Sequence, residues 1–159
     1  MIRLVKSFVQ SVSLLIVLSG STAASAAPNV FDGNWLGKGT YVLNGDLTQC
    51  SLVDFRFSIA PGEVTFLGGR RVCDKHQEEF YPVTMQYRDG QVFFGGEVVG
   101  TYDGNQMEVS SRVPDGATYR NWRMTMRRQG EHLMYEESRT MDGQTTPMIS
   151  FAGIFLKAP

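Results

Sequence analysis

The chain has 159 residues, 42% of them hydrophobic, with 15 Lys and Arg against 16 Asp and Glu. This balance excludes a general attraction to nucleic acid or to anionic membrane surfaces. Its two cysteines allow one bridge at most.

In chain order the first predicted element is a leader. Arg3 and Lys6 precede an apolar stretch from Val12 to Leu18, and the small-residue run Ala23-Ala24-Ser25-Ala26-Ala27 follows. A cationic flank, an apolar centre and a small-residue exit in that order are the grammar of a cleavable secretory signal peptide. The apolar stretch is well short of the roughly 20 residues of a membrane-spanning helix, and Ser19, Gly20, Ser21 and Thr22 interrupt it. Residues 1–27 are therefore expected to be a signal peptide cut after Ala26 or Ala27, with no Cys at the junction to accept a lipid. Residues 28–159 are expected to form one soluble domain, periplasmic or secreted, with no membrane span. Without Arg3 and Lys6, 13 basic side chains remain against 16 acidic ones, a formal charge of −3. Export puts Cys50 and Cys73 in an oxidising compartment, where a disulfide forms and persists.

Beyond the leader, short apolar or aromatic runs recur between Gly, Asn, Asp and Pro signals, without a sustained helical period. Strands are predicted over 33–43, 49–60, 63–73, 78–88, 91–102, 106–113, 118–128, 131–140 and 147–157. The turns between them are Asn44-Gly45-Asp46, Pro61-Gly62, Asp89-Gly90, Asp103-Gly104-Asn105, Pro114-Asp115-Gly116, Gln129-Gly130 and Asp142-Gly143. Connections this tight join antiparallel neighbours. An open sheet of so many strands leaves exposed edges, and closure removes them. The predicted fold is all-β: a single antiparallel up-and-down barrel of about 8–10 strands.

The first strand opens with Phe31-Asp32-Gly33-Asn34-Trp35-Leu36-Gly37-Lys38-Gly39-Thr40-Tyr41. Alternation puts Trp35, Gly37, Gly39 and Tyr41 on one face, so that Trp35 plugs the barrel floor and the glycines leave room beside it. This opening resembles the calycin superfamily, the lipocalins and their relatives, whose first strand carries Gly-x-Trp; Gly33-Asn34-Trp35 with Gly37 and Gly39 is also similar to the opening of nitrobindin-type haem barrels. The lipocalin likeness implies a late-strand arginine over Trp35, a role open to Arg139 or Arg127. The nitrobindin likeness implies a haem-ligating histidine near the C-terminus. His132 is the only late histidine, and its place in the turn region 129–132 makes it a solvated loop residue, so no cofactor is expected and haem is the alternative.

In the second hairpin, a two-residue Pro61-Gly62 turn pairs Ala60 with Glu63 and brings Cys50 directly opposite Cys73. The same register sets Phe57 against Phe66 and Ile59 against Val64 on the inner face, and Arg56 against Leu67 on the outer one. A disulfide between Cys50 and Cys73 follows. Gly68-Gly69-Arg70-Arg71 falls within a strand and is not read as an anion-binding loop.

The strand over 91–102 carries Phe94, Gly96, Val98, Gly100 and Tyr102 on one face, aromatics beside missing side chains. In the strand over 118–128, Trp122, Met124 and Met126 alternate with Arg123 and Arg127; an apolar interior points Trp122 inward and leaves the arginines in solvent, whereas the reverse makes them anion binders. On the next strand Tyr135, Glu137 and Arg139 share a face, and cross-strand pairing on the outside accounts for the charges. Adjacent carboxylates, Glu78-Glu79 and Glu136-Glu137, point to opposite faces and cannot share a substrate.

No nucleophile elbow, zinc-protease helix or phosphate loop is present, so no catalytic residues or metal ligands are nominated, and the chain reads as a binding protein rather than an enzyme. Trp35, Tyr41, Phe57, Phe66, Phe94, Tyr102, Trp122 and Met124 are the predicted ligand-binding residues, lining an interior suited to a small apolar or amphipathic ligand. The competing reading fills the interior with these side chains and leaves an interaction or inhibitor module that recognises an envelope protein.

Overall fold

The computed structural model describes residues 30–159; the leader predicted over residues 1–27 lies outside them. β-branched and aromatic runs between turn residues give eleven strands: β1 (Gly33–Leu43), β2 (Asp46–Ala60), β3 (Glu63–Cys73), β4 (His76–Phe80), β5 (Val83–Arg88), β6 (Gln91–Phe94), β7 (Glu97–Tyr102), β8 (Gln106–Asp115), β9 (Thr118–Gln129), β10 (His132–Met141) and β11 (Ile149–Lys157). All pairings are antiparallel and join sequence neighbours, except that β1 also pairs with β11, and β3 pairs with β5 as well as with β2 and β4. The β2–β3 pairing closes a ten-strand barrel, as expected from the cost of open edges.

β4 and β5 are one strand in two pieces. Both lie on β3 in a common register, β4 against Gly69–Cys73 and β5 against Glu63–Phe66. The break comes at Tyr81-Pro82, where proline has no N–H to give the ladder. The strand predicted over 91–102 is also divided, because Gly95 and Gly96 adopt φ of 61° and 89° and turn the chain into the β6–β7 hairpin. Gly96 is thus a turn residue rather than a gap in a barrel wall. The β7 bulge at Val99 further separates Val98, which faces solvent, from buried Tyr102. Pro114 and Asp115, predicted to turn, extend β8, and the chain reverses at Gly116-Ala117 instead.

Cys50 and Cys73 are opposite each other and bonded. Ala60 pairs with Glu63, and Phe57 with Phe66, as the turn requires. Between these ends the register slips by one residue: Arg56 pairs with Gly68 and not with Leu67. Leu67 is an extra residue on β3, Ser51 is an extra residue on β2, and the two bulges cancel. The slip has a large consequence within β3. Val64 points inward before Leu67, and Arg71 points inward after it, with none of its surface exposed.

Trp35 is fully buried on the floor, as predicted, and its Nε1 donates to the Phe31 carbonyl at 2.7 Å. The arginine over its ring is Arg128, 4.7 Å from the ring centre, rather than Arg139 or Arg127. Arg128 has the parity of Trp122, Met124 and Met126 on β9 and sits where that inner face reaches the floor. The room left by Gly37 and Gly39 is taken by two rings. A Cβ on Gly37 would lie 2.7 Å from the Phe155 ring, and one on Gly39 2.5 Å from the Phe151 ring. The core therefore fills solidly between Trp35 and Phe55, Phe151 and Phe155.

Candidate functional site

The interior is not filled along its whole length. β8 pairs with β9 from Gln106 to Asp115, but with β7 only from Met107 to Val109. β4 pairs with β3 alone. Between the free edge of β8 and that of β4, the short β6–β7 hairpin leaves the wall incomplete, and a cleft of about 690 Å³ runs inward from there. Pro114 on the β8 edge and Pro82 below β4 remove two N–H groups from these edges, which blunts them against further strand pairing.

One wall is Phe57, Phe66, Phe80 and Met85; the other is Val99, Val109, Trp122 and Met124. Phe66 packs against Phe57 and Phe80 with ring centres 5.1 Å and 6.0 Å apart. Tyr81, Val83, Phe94 and Val113 form an exposed apolar rim. Five of the eight predicted ligand-binding residues therefore meet in the cleft: Phe57, Phe66, Phe94, Trp122 and Met124. The other three are buried elsewhere. Trp35 is on the floor, Tyr102 packs against Phe31 and Tyr87, and Tyr41 stacks on His76 with ring centres 4.9 Å apart.

The inner end of the cleft is polar. Tyr135, Glu137 and Arg139 point inward, against the expectation that their charges face solvent. They share the inner face of β10 with Leu133, which is fully buried, so burying that leucine carries the three polar residues inside with it. Glu137 accepts from Trp122 Nε1 at 3.2 Å, Arg139 Nε at 2.7 Å and the Tyr135 hydroxyl at 3.3 Å. Arg139 Nη2 also reaches Glu78 at 3.1 Å. Arg71 Nη2 donates to Glu78, and its Nη1 is 3.6 Å from Glu137. The Arg71 guanidinium lies over the Tyr41 and Phe151 rings, 4.5 Å and 4.7 Å from their centres. Its Nε and Nη1 find no hydrogen-bond acceptor among the described residues. Two arginines and two glutamates thus balance within the barrel, which is what makes burying any of them tolerable.

Burial and the Glu137 charge push the Tyr135 phenol well up, so it stays protonated and donates. Burial raises the Glu78 pKa, but attraction and hydrogen bonds from Arg71 and Arg139 outweigh it and hold the carboxyl below its ordinary value. A depressed folded-state pKa gives stability that is present above the unfolded pKa and lost as pH falls through the folded one. The urea midpoint is expected to hold from neutral pH down to the ordinary glutamate value of 4.5 and to decline below it. Glu78→Gln is expected to lower the neutral-pH midpoint and to flatten that decline.

Arg123 and Arg127 face outward, the first 3.8 Å from Glu108, and line a separate hollow of about 680 Å³ that spans β1 and β8 to β11 on the outer surface. As expected, Glu136 faces away from Glu137. His132 is exposed at the start of β10 and does not line the cleft, so it offers no ligand to a haem there. Among the described residues, no three His, Cys, Asp or Glu side chains are placed to hold a metal ion, and no helix is long and apolar enough to cross a membrane. No model of a known protein family matches the chain, and no curated protein matches it.

Proposed function

We propose that this protein is an exported calycin-like barrel that binds a small apolar or amphipathic ligand non-covalently. The observation that carries the reading is the 690 Å³ cleft, within the range of small-molecule sites and walled by aromatic, Met and Val side chains. A filled interaction module has no use for that volume. Each ligand methylene withdrawn from water between Phe66 and Trp122 contributes about 0.8 kcal/mol. The rim of Tyr81, Val83, Phe94 and Val113 gives an apolar body a lateral entry between β4 and β8. Arg128 over Trp35, beside Gly33-Asn34-Trp35, supports the calycin likeness. The Cys50–Cys73 disulfide supports export to an oxidising compartment, periplasmic or extracellular.

The binding reading is tested by titrating the purified protein with a neutral apolar dye such as Nile red. Saturable one-to-one binding is expected. Val99→Trp places an indole in the cleft from a partly buried position and is expected to weaken binding about tenfold or more with little change in unfolding midpoint. Dye uptake that is absent, or indifferent to Val99→Trp, contradicts the reading.

A further inference from the structure

We infer that the polar end of the ligand is an uncharged hydrogen-bond acceptor, a carbonyl of the amide, ester or ketone kind. The inference rests on the reading of the cleft as a ligand site and follows from which polar atoms its inner end has left over. Both carboxylates there are already engaged. Glu137 Oε1 accepts from Trp122 and Arg139, and its Oε2 accepts from Tyr135. Glu78 Oε1 accepts from Arg139 and its Oε2 from Arg71. Donors remain. Arg139 uses Nε and Nη2, leaving Nη1 without a partner among the described residues. Nearer the rim, beside Val113, Arg120 also lines the cleft; its Nε lies 3.4 Å from Asp115 as an ion pair without a hydrogen bond, so none of its nitrogens has a hydrogen-bond partner among the described residues. A ligand that displaces water from these N–H groups loses affinity unless it supplies acceptors in return.

Charge separates a neutral acceptor from an anion. Arg71, Arg120 and Arg139 are matched by Glu78, Glu137 and Asp115. Glu79 adds a further carboxylate at the exposed rim. A carboxylate or phosphate head would enter a region with no positive charge to spare, and an ammonium head seated at the inner end would meet the Arg139 N–H groups where it needs acceptors, the spare carboxylate of Glu79 lying out at the rim. A carbonyl satisfies the N–H groups without adding charge.

The test is isothermal titration at neutral pH of the purified protein with decanamide, decanoate and decylammonium, which share an alkyl body and differ in the head. Decanamide is expected to bind about tenfold tighter than either ion. Arg120 is partly exposed and its partner Asp115 is on the surface, so Arg120→Met leaves no buried unpaired charge and is expected to shrink the amide preference several-fold while sparing decylammonium affinity. Decanoate binding tightest, all three binding within about threefold, or an amide preference unchanged in Arg120→Met would each overturn the inference and leave the ligand reading standing. If none of the three binds, the ligand reading falls and the inference with it.

Discussion

Replacing Glu137 with leucine is expected to lower the unfolding free energy by about 3–5 kcal/mol, read as a urea midpoint shift. The carboxylate is 4% exposed and is the meeting point of Arg139, Tyr135 and Trp122, with Arg71 nearby. Its loss leaves the fully buried Arg71 and the partly buried Arg139 with Glu78 alone between them, and strips the Tyr135 hydroxyl and the Trp122 indole of their acceptor. Removing one member of a buried ion network costs far more than the network's net worth, because the uncompensated partner stays in a low dielectric. Two comparisons separate this mechanism from general sensitivity. Glu136→Leu, one residue along and facing out, is expected to change stability by less than about 0.5 kcal/mol. Glu137→Met combined with Arg139→Met is expected to recover part of the loss, since the uncompensated pair goes out together. Equal effects at 136 and 137 would contradict the inward placement of β10's odd-numbered face.

Removing the disulfide, by Cys50→Ser with Cys73→Ser, is expected to cost about 3 kcal/mol on the loop-closure relation for a sequence separation of 23 residues. The bridge also has a local role. β2 and β3 are held one residue out of step between the bulges at Ser51 and Leu67, and the bridge clamps the end beyond Ser51 while the Pro61-Gly62 turn holds the other. Arg71 lies between the bridge and the Leu67 bulge, so the register that turns it inward is pinned at both ends. Intact-mass analysis with and without reduction should show a two-proton difference, and the reduced protein should unfold at a lower urea concentration. Free thiols in protein purified without reductant would contradict the bridge.

Period-two alternation and turn chemistry made the barrel legible in the sequence, because both are local signals that survive packing. Bulges are not periodic. The Ser51 and Leu67 bulges cancel, so the agreement between the Pro61-Gly62 turn and the cysteines held although Arg56 and Leu67 were not partners. Gly68-Gly69 carried the missed signal: glycine inside a strand often marks a bulge, and here the bulge turns Arg71 into the core. The site was half legible. Aromatic and Met positions found five cleft residues, since apolar side chains face inward by default. The same default sent Glu137 and Arg139 outward, although Leu133 on their face fixed the opposite parity. The lateral opening depends on Pro82 and on Gly95-Gly96, which lay inside strands predicted as continuous.

Ligand occupancy of the cleft is tested most directly by ¹H–¹⁵N correlation spectra of the purified protein titrated with decanol, a neutral amphiphile, because its two tryptophans are in different places. The Trp122 indole is in the cleft and the Trp35 indole is on the floor. Saturable shifts of the Trp122 indole N–H and of the Val99, Val109 and Ser111 amides, with the Trp35 indole N–H unmoved, are the predicted result. Shifts confined to Arg123, Thr125 and Glu136 on the outer face, or no shifts at all, would contradict it.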